Sequence, residues 1–215
     1  FAEALAAAHP AAEAQRLATL YADAFNDEYR AITTPATAVH DVAVLERMQR
    51  EQEAVAIELR PQVPGPDLPP NVNLLELYLR DERLVLSDFL PLLENAGIRV
   101  VDVNPSVVSG PGVPHVTVYS FAVQTREGQP LPLERADPLA EMLLAVRAGL
   151  ARNDGFNALV LKAGLRWREA DVLRTYAHYA FQVGAIPTRS AGAWALAAYP
   201  EVAQLLLDLF RARFD

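Results

Sequence analysis

Four short segments carry strand spacing, and the helix-spaced segments between them come in an order that few folds accommodate. Ala54 to Arg60 places Val55, Ile57 and Leu59 on one side, and Asn73 to Arg80 alternates Leu75, Leu77 and Leu79 against Glu76 and Tyr78. A period of two is strand spacing, because successive side chains leave opposite faces of a pleated chain. Ile98 to Val103 reads as a third strand, and His115 to Gln124 as a fourth, with Val116, Val118, Phe121 and Val123. A helix is predicted between the second and third strands. Ser87 is its expected N-cap, Phe89, Leu90, Leu92 and Leu93 its apolar face, and Gly97 its left-handed stop. Another helix is predicted from Asp137-Pro138 to about Arg152.

The segments on either side are helical. Leu17, Leu20, Tyr21, Ala24 and Phe25 repeat at helical spacing within the Ala-rich residues 2–32. Thr34 with Pro35 restarts the chain as N-cap and first helical residue, and Val39, Val42, Leu45 and Met48 follow on one face. Pro61, Pro64, Pro66, Pro69 and Pro70 with Gly65 make an extended, polyproline-like connection between the first two strands. Ser109-Gly110-Pro111-Gly112 reads as a loop. Beyond residue 152 the expected helices are Phe156 to Ala163, Arg168 to Val183, Ser190 to Tyr199 and Pro200 to Phe214. In the second of these, Val172, Leu173, Tyr176, Tyr179 and Ala180 should face inward.

Strand, helix, strand, strand, helix from 72 to 152 is most of a split βαββα unit, and the strand at 54–60 can supply the fourth strand from the other end. The expected class is therefore α+β. It comprises a ferredoxin-like, ACT-like four-stranded antiparallel sheet with helices on one face, followed by an all-helical module. The expected parts are N-terminal helices over 1–52, the ACT-like domain over 53–152 and the helical domain over 153–215. An open four-stranded sheet also has two edges, and the apolar strand at 73–80 is the expected edge for pairing with a second copy.

Chemistry is hard to place anywhere on this chain. There are no cysteines, which removes disulfides, thiolate nucleophiles and Cys-based zinc sites together. His9, His40, His115 and His178 lie in four different elements, and none pairs at i, i+4. Gly110-Pro111-Gly112 lacks the third glycine of a dinucleotide loop and precedes a strand, not a helix. Asp81, Glu82 and Asp102 read as solvated turn residues. Trp167, in the most distinctive local stretch, is expected to pack between helices while Arg166 and Arg168 pair with acids at the start of the next helix. No residue is assigned a catalytic, cofactor-binding or metal-ligating role. A net charge of −8 with scattered arginines argues against nucleic acid, and apolar runs fall short of the roughly 20 residues a membrane span needs. Lys162 is the only lysine, which reads as a composition bias toward Arg. The chain opens on Phe1 and stops at Asp215 directly after an amphipathic run, so both ends are expected to continue into a longer cytoplasmic protein.

Several stretches together resemble a known family. These are Leu75 to Arg80 (LELYLR), Leu86 to Asp102 (LSDFLPLLENAGIRVVD), Asp154 to Leu161 (DGFNALVL), Ala163 to Glu169 (AGLRWRE) with Val172-Leu173-Arg174, and the closing Leu206 to Asp215 (LLDLFRARFD). They are similar to the region ahead of the catalytic domain in the bacterial large NAD-specific glutamate dehydrogenases. Tyr29 to Leu45 fits the helix that precedes the last ACT-like domain there. The resemblance implies an enzyme that deaminates L-glutamate to 2-oxoglutarate and ammonia, with NAD held outside this segment and none of its catalytic residues within it. It further implies a regulatory and architectural role, contacts with the catalytic domain of the same chain, a homo-oligomer and an amino-acid effector. The alternative is a stand-alone ACT-like amino-acid sensor. The junction from Asp81 to Leu86 carries no glycine, unlike the corresponding junction of ACT domains that bind amino acids.

Overall fold

The computed structural model of the protein describes residues 1–61 and 71–214. The helices before the sheet are α1 (Ala2–Ala8), α2 (Ala11–Tyr21), α3 (Asp27–Ile32) and α4 (Pro35–Glu51). The sheet region holds β1 (Val55–Pro61), β2 (Asn73–Arg80), α5 (Leu86–Asn95), β3 (Ile98–Gly110), β4 (Val113–Thr125) and α6 (Ala136–Arg147). After a 3₁₀ turn at Gly155–Asn157 come α7 (Ala158–Lys162), α8 (Trp167–Gln182), α9 (Ala191–Ala198) and α10 (Pro200–Phe214). The polyproline-like connection expected from Pro61 to Pro70 lies outside the described residues, apart from Pro61, which ends β1.

The four strands form one sheet in the order β1-β2-β4-β3. Arg80 N–H donates to Ala54 carbonyl at 2.9 Å and Asp81 N–H to His115 carbonyl at 3.0 Å, so the end of β2 meets the starts of both β1 and β4. All three pairings are antiparallel, since β3 and β4 are joined by the tight Pro111-Gly112 turn, where Gly112 takes φ +82°. The β2-α5-β3-β4 unit is the split βαβ that the strand pattern predicts, and β1 adds beside β2, which makes β2 an interior strand.

Two expectations about the strands change. β3 runs to Gly110, seven residues beyond the predicted end, because Pro105 is tolerated on an edge strand where no ladder partner needs its N–H. β2 is an interior strand, so its leucines are not an edge for a second copy. Leu75, Leu77 and Leu79 are fully buried, each contributing about 1.5–3 kcal/mol relative to exposure. The sheet edges are β1 and β3. The chain covers part of the β3 edge itself, through an antiparallel bridge between Phe25 and Val108 and a 3.0 Å bond from Ser109 N–H to Ala24 carbonyl.

The chain divides into two compact units. The first comprises Phe1–Ile57, Glu76–Leu84 and Val103–Phe121. Residues 2–32 are not continuous helix: Pro10 lacks an N–H and ends α1, and Ala22 to Asn26 turn the chain before Asn26 caps α3 by accepting from Tyr29 N–H at 2.9 Å. Thr34 caps α4 through Thr37 N–H at 3.2 Å, with Pro35 at the first helical position as the sequence predicts. Tyr21, Phe25 and Tyr29 stack in a row, with centroids 6.1 and 4.4 Å apart. The polar side of β2 is buried too. Glu76 and Tyr78 sit beneath Asp41 of α4, and the Tyr78 hydroxyl lies 2.8 Å from both Asp41 Oδ1 and Glu76 Oε2. A fully buried carboxylate survives only with such partners, and the Tyr29 hydroxyl also donates to Asp41.

The second unit comprises Glu58–Leu75, Val85–Asp102 and Ala122–Asp215. Here α5 begins at Leu86 with Val85 as its flanking residue and no side-chain cap, so Ser87 lies inside the helix and not at its N-cap. It closes as predicted at Gly97, φ +84°. α6 stops at Arg147, five residues before the expected end at Arg152, because Gly149 takes φ +71° and Leu150 N–H turns back onto Ala145 carbonyl at 2.8 Å. In α8 the inward stripe is Ala170, Leu173, Arg174 and Ala177. Tyr176 and Tyr179, expected inside, are 51% and 63% exposed. Phe156, Leu159, Leu165, Leu173, Ala203 and Leu207 centre the core of α7 to α10.

Candidate functional site

Asp154-Gly155-Phe156-Asn157, the start of one of the stretches that carry the family resemblance, forms the 3₁₀ turn ahead of α7. Asp154 caps it, its Oδ1 accepting from Phe156 N–H at 3.0 Å. The same carboxylate receives two bonds from the Arg174 guanidinium of α8, at 2.8 and 3.0 Å. Arg174 is 3% exposed and also donates to Asn157 Oδ1 at 2.9 Å and to Asp171 at 2.5 Å. Its planar fork explains why an arginine can sit in this core: four charge-assisted bonds replace its water. Asn157 completes the turn by donating to Arg152 carbonyl at 3.0 Å. The DGFN stretch and Val172-Leu173-Arg174 are thus two halves of one clamp.

A cavity of about 690 Å³ opens beside that clamp, within the second unit. Phe156, Ala158, Ala193 and Ala197 make an apolar wall, and Trp194 stands at it 74% exposed. Arg126, Lys162 and Arg189 bring positive charge, and Glu94, Glu127 and Asp154 negative charge. Asp154 is neutralised by Arg174. The Lys162 ammonium lies 3.7 Å from Glu127, whose carboxyl is held below the usual range first by its own backbone amide, then by Thr125 and Lys162. The Arg126 guanidinium donates to Glu94 carbonyl at 2.9 Å, and Arg189 lies over the Phe181 ring at 5.5 Å. Among the described residues neither guanidinium has a carboxylate partner. The α8–α9 crossing that shapes the cavity is close: a Cβ on Gly192 would stand 2.6 Å from Ala177 Cβ.

The residues weighed in the sequence fall as follows. His178 lines the cavity, whereas His9, His40 and His115 do not, and among the described residues no group of three His, Cys, Asp or Glu could hold a metal ion. Gly110-Pro111-Gly112 is the β3–β4 turn. Asp81 takes φ +54° at the β2–α5 junction, where glycine would otherwise be favoured. Trp167 is half-buried, not enclosed, with the Arg168 guanidinium 4.2 Å from its ring centroid. Arg166 pairs with Glu141 of α6 at 3.1 Å, not with the start of α8, and only its backbone N–H reaches Glu169, at 2.7 Å. No local pattern signals the cavity, since its lining residues come from six separate segments.

Several large apolar side chains of α8 and α10 also reach water. Tyr179, Leu205, Leu209 and Phe214 are all more than 60% exposed, and Tyr176 meets Phe210 edge-on at 6.1 Å. Among the described residues no helix is long and apolar enough to cross a membrane.

Comparison with known proteins accounts for nearly the whole chain. The family models for glutamate dehydrogenase helical motif 2, ACT3 domain and helical motif 3 match residues 4–48, 56–136 and 151–215 respectively. The chain belongs to the glutamate dehydrogenase family. It is 32% identical over 215 residues to the NAD-specific glutamate dehydrogenase of Mycobacterium tuberculosis, a match covering 97% of this chain and 13% of that protein. That of Halomonas elongata is 32% identical over 203 residues, covering 94% of this chain and 12% of its own. That of Pseudomonas aeruginosa is 36% identical over 140 residues, or 65% of this chain and 9% of its own. The chain therefore spans about an eighth of the length of these glutamate dehydrogenases, and it corresponds to their ACT3 and helical-motif region. The clamp of Asp154, Asn157 and Arg174 and the exposed side chains of α8 and α10 lie within the match to helical motif 3, whereas the cavity also takes Glu94, Arg126 and Glu127 from the ACT3 match.

Proposed function

We propose that this chain is a non-catalytic regulatory and architectural segment of a large NAD-dependent glutamate dehydrogenase, the parent enzyme converting L-glutamate, NAD and water to 2-oxoglutarate, ammonia and NADH. Its parts are the helices over 1–52, the ACT-like domain over 53–152 and the helical domain over 153–215. The observation that carries the reading is the set of exposed apolar side chains on α8 and α10, in a segment that is an eighth of its relatives' length. Tyr179 and Leu209, exposed at 63% and 67%, would each bury substantial apolar area against the rest of a longer chain. In this account the partner is the catalytic domain of the same chain, the full protein is a cytoplasmic homo-oligomer, and an effector acts through the segment.

The test is a charge placed on the face in the full-length protein. Leu205→Glu with Leu209→Glu should leave the segment folded, because both side chains point to water here, yet lower glutamate-dependent NADH production and loosen the assembly. Unchanged activity and unchanged assembly would remove the architectural role.

A further inference from the structure

We propose that the cavity beside the Asp154–Arg174 clamp is a binding site for a nucleoside phosphate. Size is the first argument. At about 690 Å³ the cavity lies in the range of about 300–1,000 Å³ that suits ligands larger than a single amino acid. Charge is the second. With Asp154 held by Arg174 and Glu127 by Lys162, the cations left without a carboxylate among the described residues are Arg126 and Arg189. Two guanidiniums lining one concave surface match a phosphate, which accepts several charge-assisted bonds at once. Glu94, which has no cationic partner among the described residues, supplies an acceptor of the kind that ribose hydroxyls use.

The aromatic wall is the third argument. An indole 74% exposed at the wall of a cavity offers its face to a planar base, and base stacking on such a side chain is worth about 1–3 kcal/mol. The small residues beside it, Ala193 and Ala197 on α9 and Ala158 on α7, leave room for a flat ring system. The proposal is for binding alone. It rests on the cavity and holds whether or not the face on α8 and α10 contacts the rest of the enzyme.

The experiment is hydrogen–deuterium exchange of the full-length protein with AMP, with adenosine and inorganic phosphate as separate arms. Local readout is needed because a glutamate dehydrogenase of this family also binds NAD elsewhere. AMP should slow exchange in the peptides covering 153–162 and 189–198, and neither adenosine nor phosphate alone should match it at the same concentration. In Arg126→Gln with Arg189→Gln, the same protection should need about tenfold more AMP or greater, as expected for losing two charge-assisted contacts. Trp194→Ala should act in the same direction. These side chains are exposed, so unchanged exchange in 73–80 and 113–125 will show the variants folded. Absence of protection in both peptides at millimolar AMP, or protection indifferent to the double substitution, would overturn the proposal.

Discussion

Arg174 donates two hydrogen bonds to the carboxylate of Asp154, at 2.8 and 3.0 Å, and so ties the middle of α8 to the turn that starts α7. The two partners are unequal. The arginine side chain is 3% exposed and the aspartate 32%, so the loss of Asp154 leaves a buried cation with the half-exposed Asp171 as its remaining carboxylate. Asp154→Asn keeps the shape and the cap on Phe156 N–H but removes the charge. Breaking a buried pair from one side costs about 3–5 kcal/mol, and the exposure of Asp154 and Asp171 brings the expected loss to about 2 kcal/mol. Urea denaturation checks it. The loss should shrink when Arg174→Met removes the cation as well.

The crossing of α8 and α9 predicts a second sensitivity. Gly192 is needed for close approach, since a Cβ there meets Ala177 Cβ at 2.6 Å and Phe156 Cζ at 3.4 Å. Gly192→Val should destabilise the helical part by about 1–3 kcal/mol through overpacking. Ala177→Gly in the same molecule should recover a measurable part of it, read as a rise in Tm.

Trp167 tests how far a tryptophan can be a packing residue without being enclosed. It is half-buried under the Arg168 guanidinium. Trp167→Ala is expected to cost less than the ~3–5 kcal/mol of a fully buried tryptophan, about 1–2 kcal/mol. A loss at the full core value in thermal melts would mean that the ring is covered more completely than its exposure indicates.

Tyr21 gives a prediction in pH. Burial, then the neighbouring Glu46 carboxylate, push its phenol up, and its hydroxyl donates to Glu46 Oε1 at 2.9 Å. In the unfolded chain the phenol ionises near pH 10. Above that pH the folded state holds the proton longer than the unfolded state, so stability falls as pH rises. Tyr21→Phe should flatten the decline above about pH 10, followed by denaturant midpoints at a series of alkaline pH values.

Much of this architecture can be read from residue patterns, and what cannot has physical causes. Alternation in β1 and β2, the Thr34-Pro35 start of α4 and the Gly97 stop of α5 are local signals, and each acts where it stands. The strand order is less local: the split βαβ unit leaves an edge at β2 and another at β3, and the early strand takes the one at β2. The length of β3 was hidden by Pro105 and Gly110, which read as breakers until the strand is known to lie at an edge. Tyr176 and Tyr179 satisfy helical spacing equally well inside or outside, so their exposure depends on Arg174 taking the inward position. Arg174 itself gives no sign of burial until Asp154, twenty residues away, is known to face it. The cavity is less legible still, because its cations and its tryptophan meet only in three dimensions.

The proposed architectural role packs the last helices of this segment against the rest of a much longer dehydrogenase. Hydroxyl-radical footprinting of the full-length protein tests it most directly, read at Tyr179, Leu209 and Phe214, which are 63%, 67% and 64% exposed in this chain. Labelling of all three should fall close to that of fully buried Tyr78 and Phe156. Labelling at the level of freely exposed side chains, in an active and assembled enzyme, would contradict it.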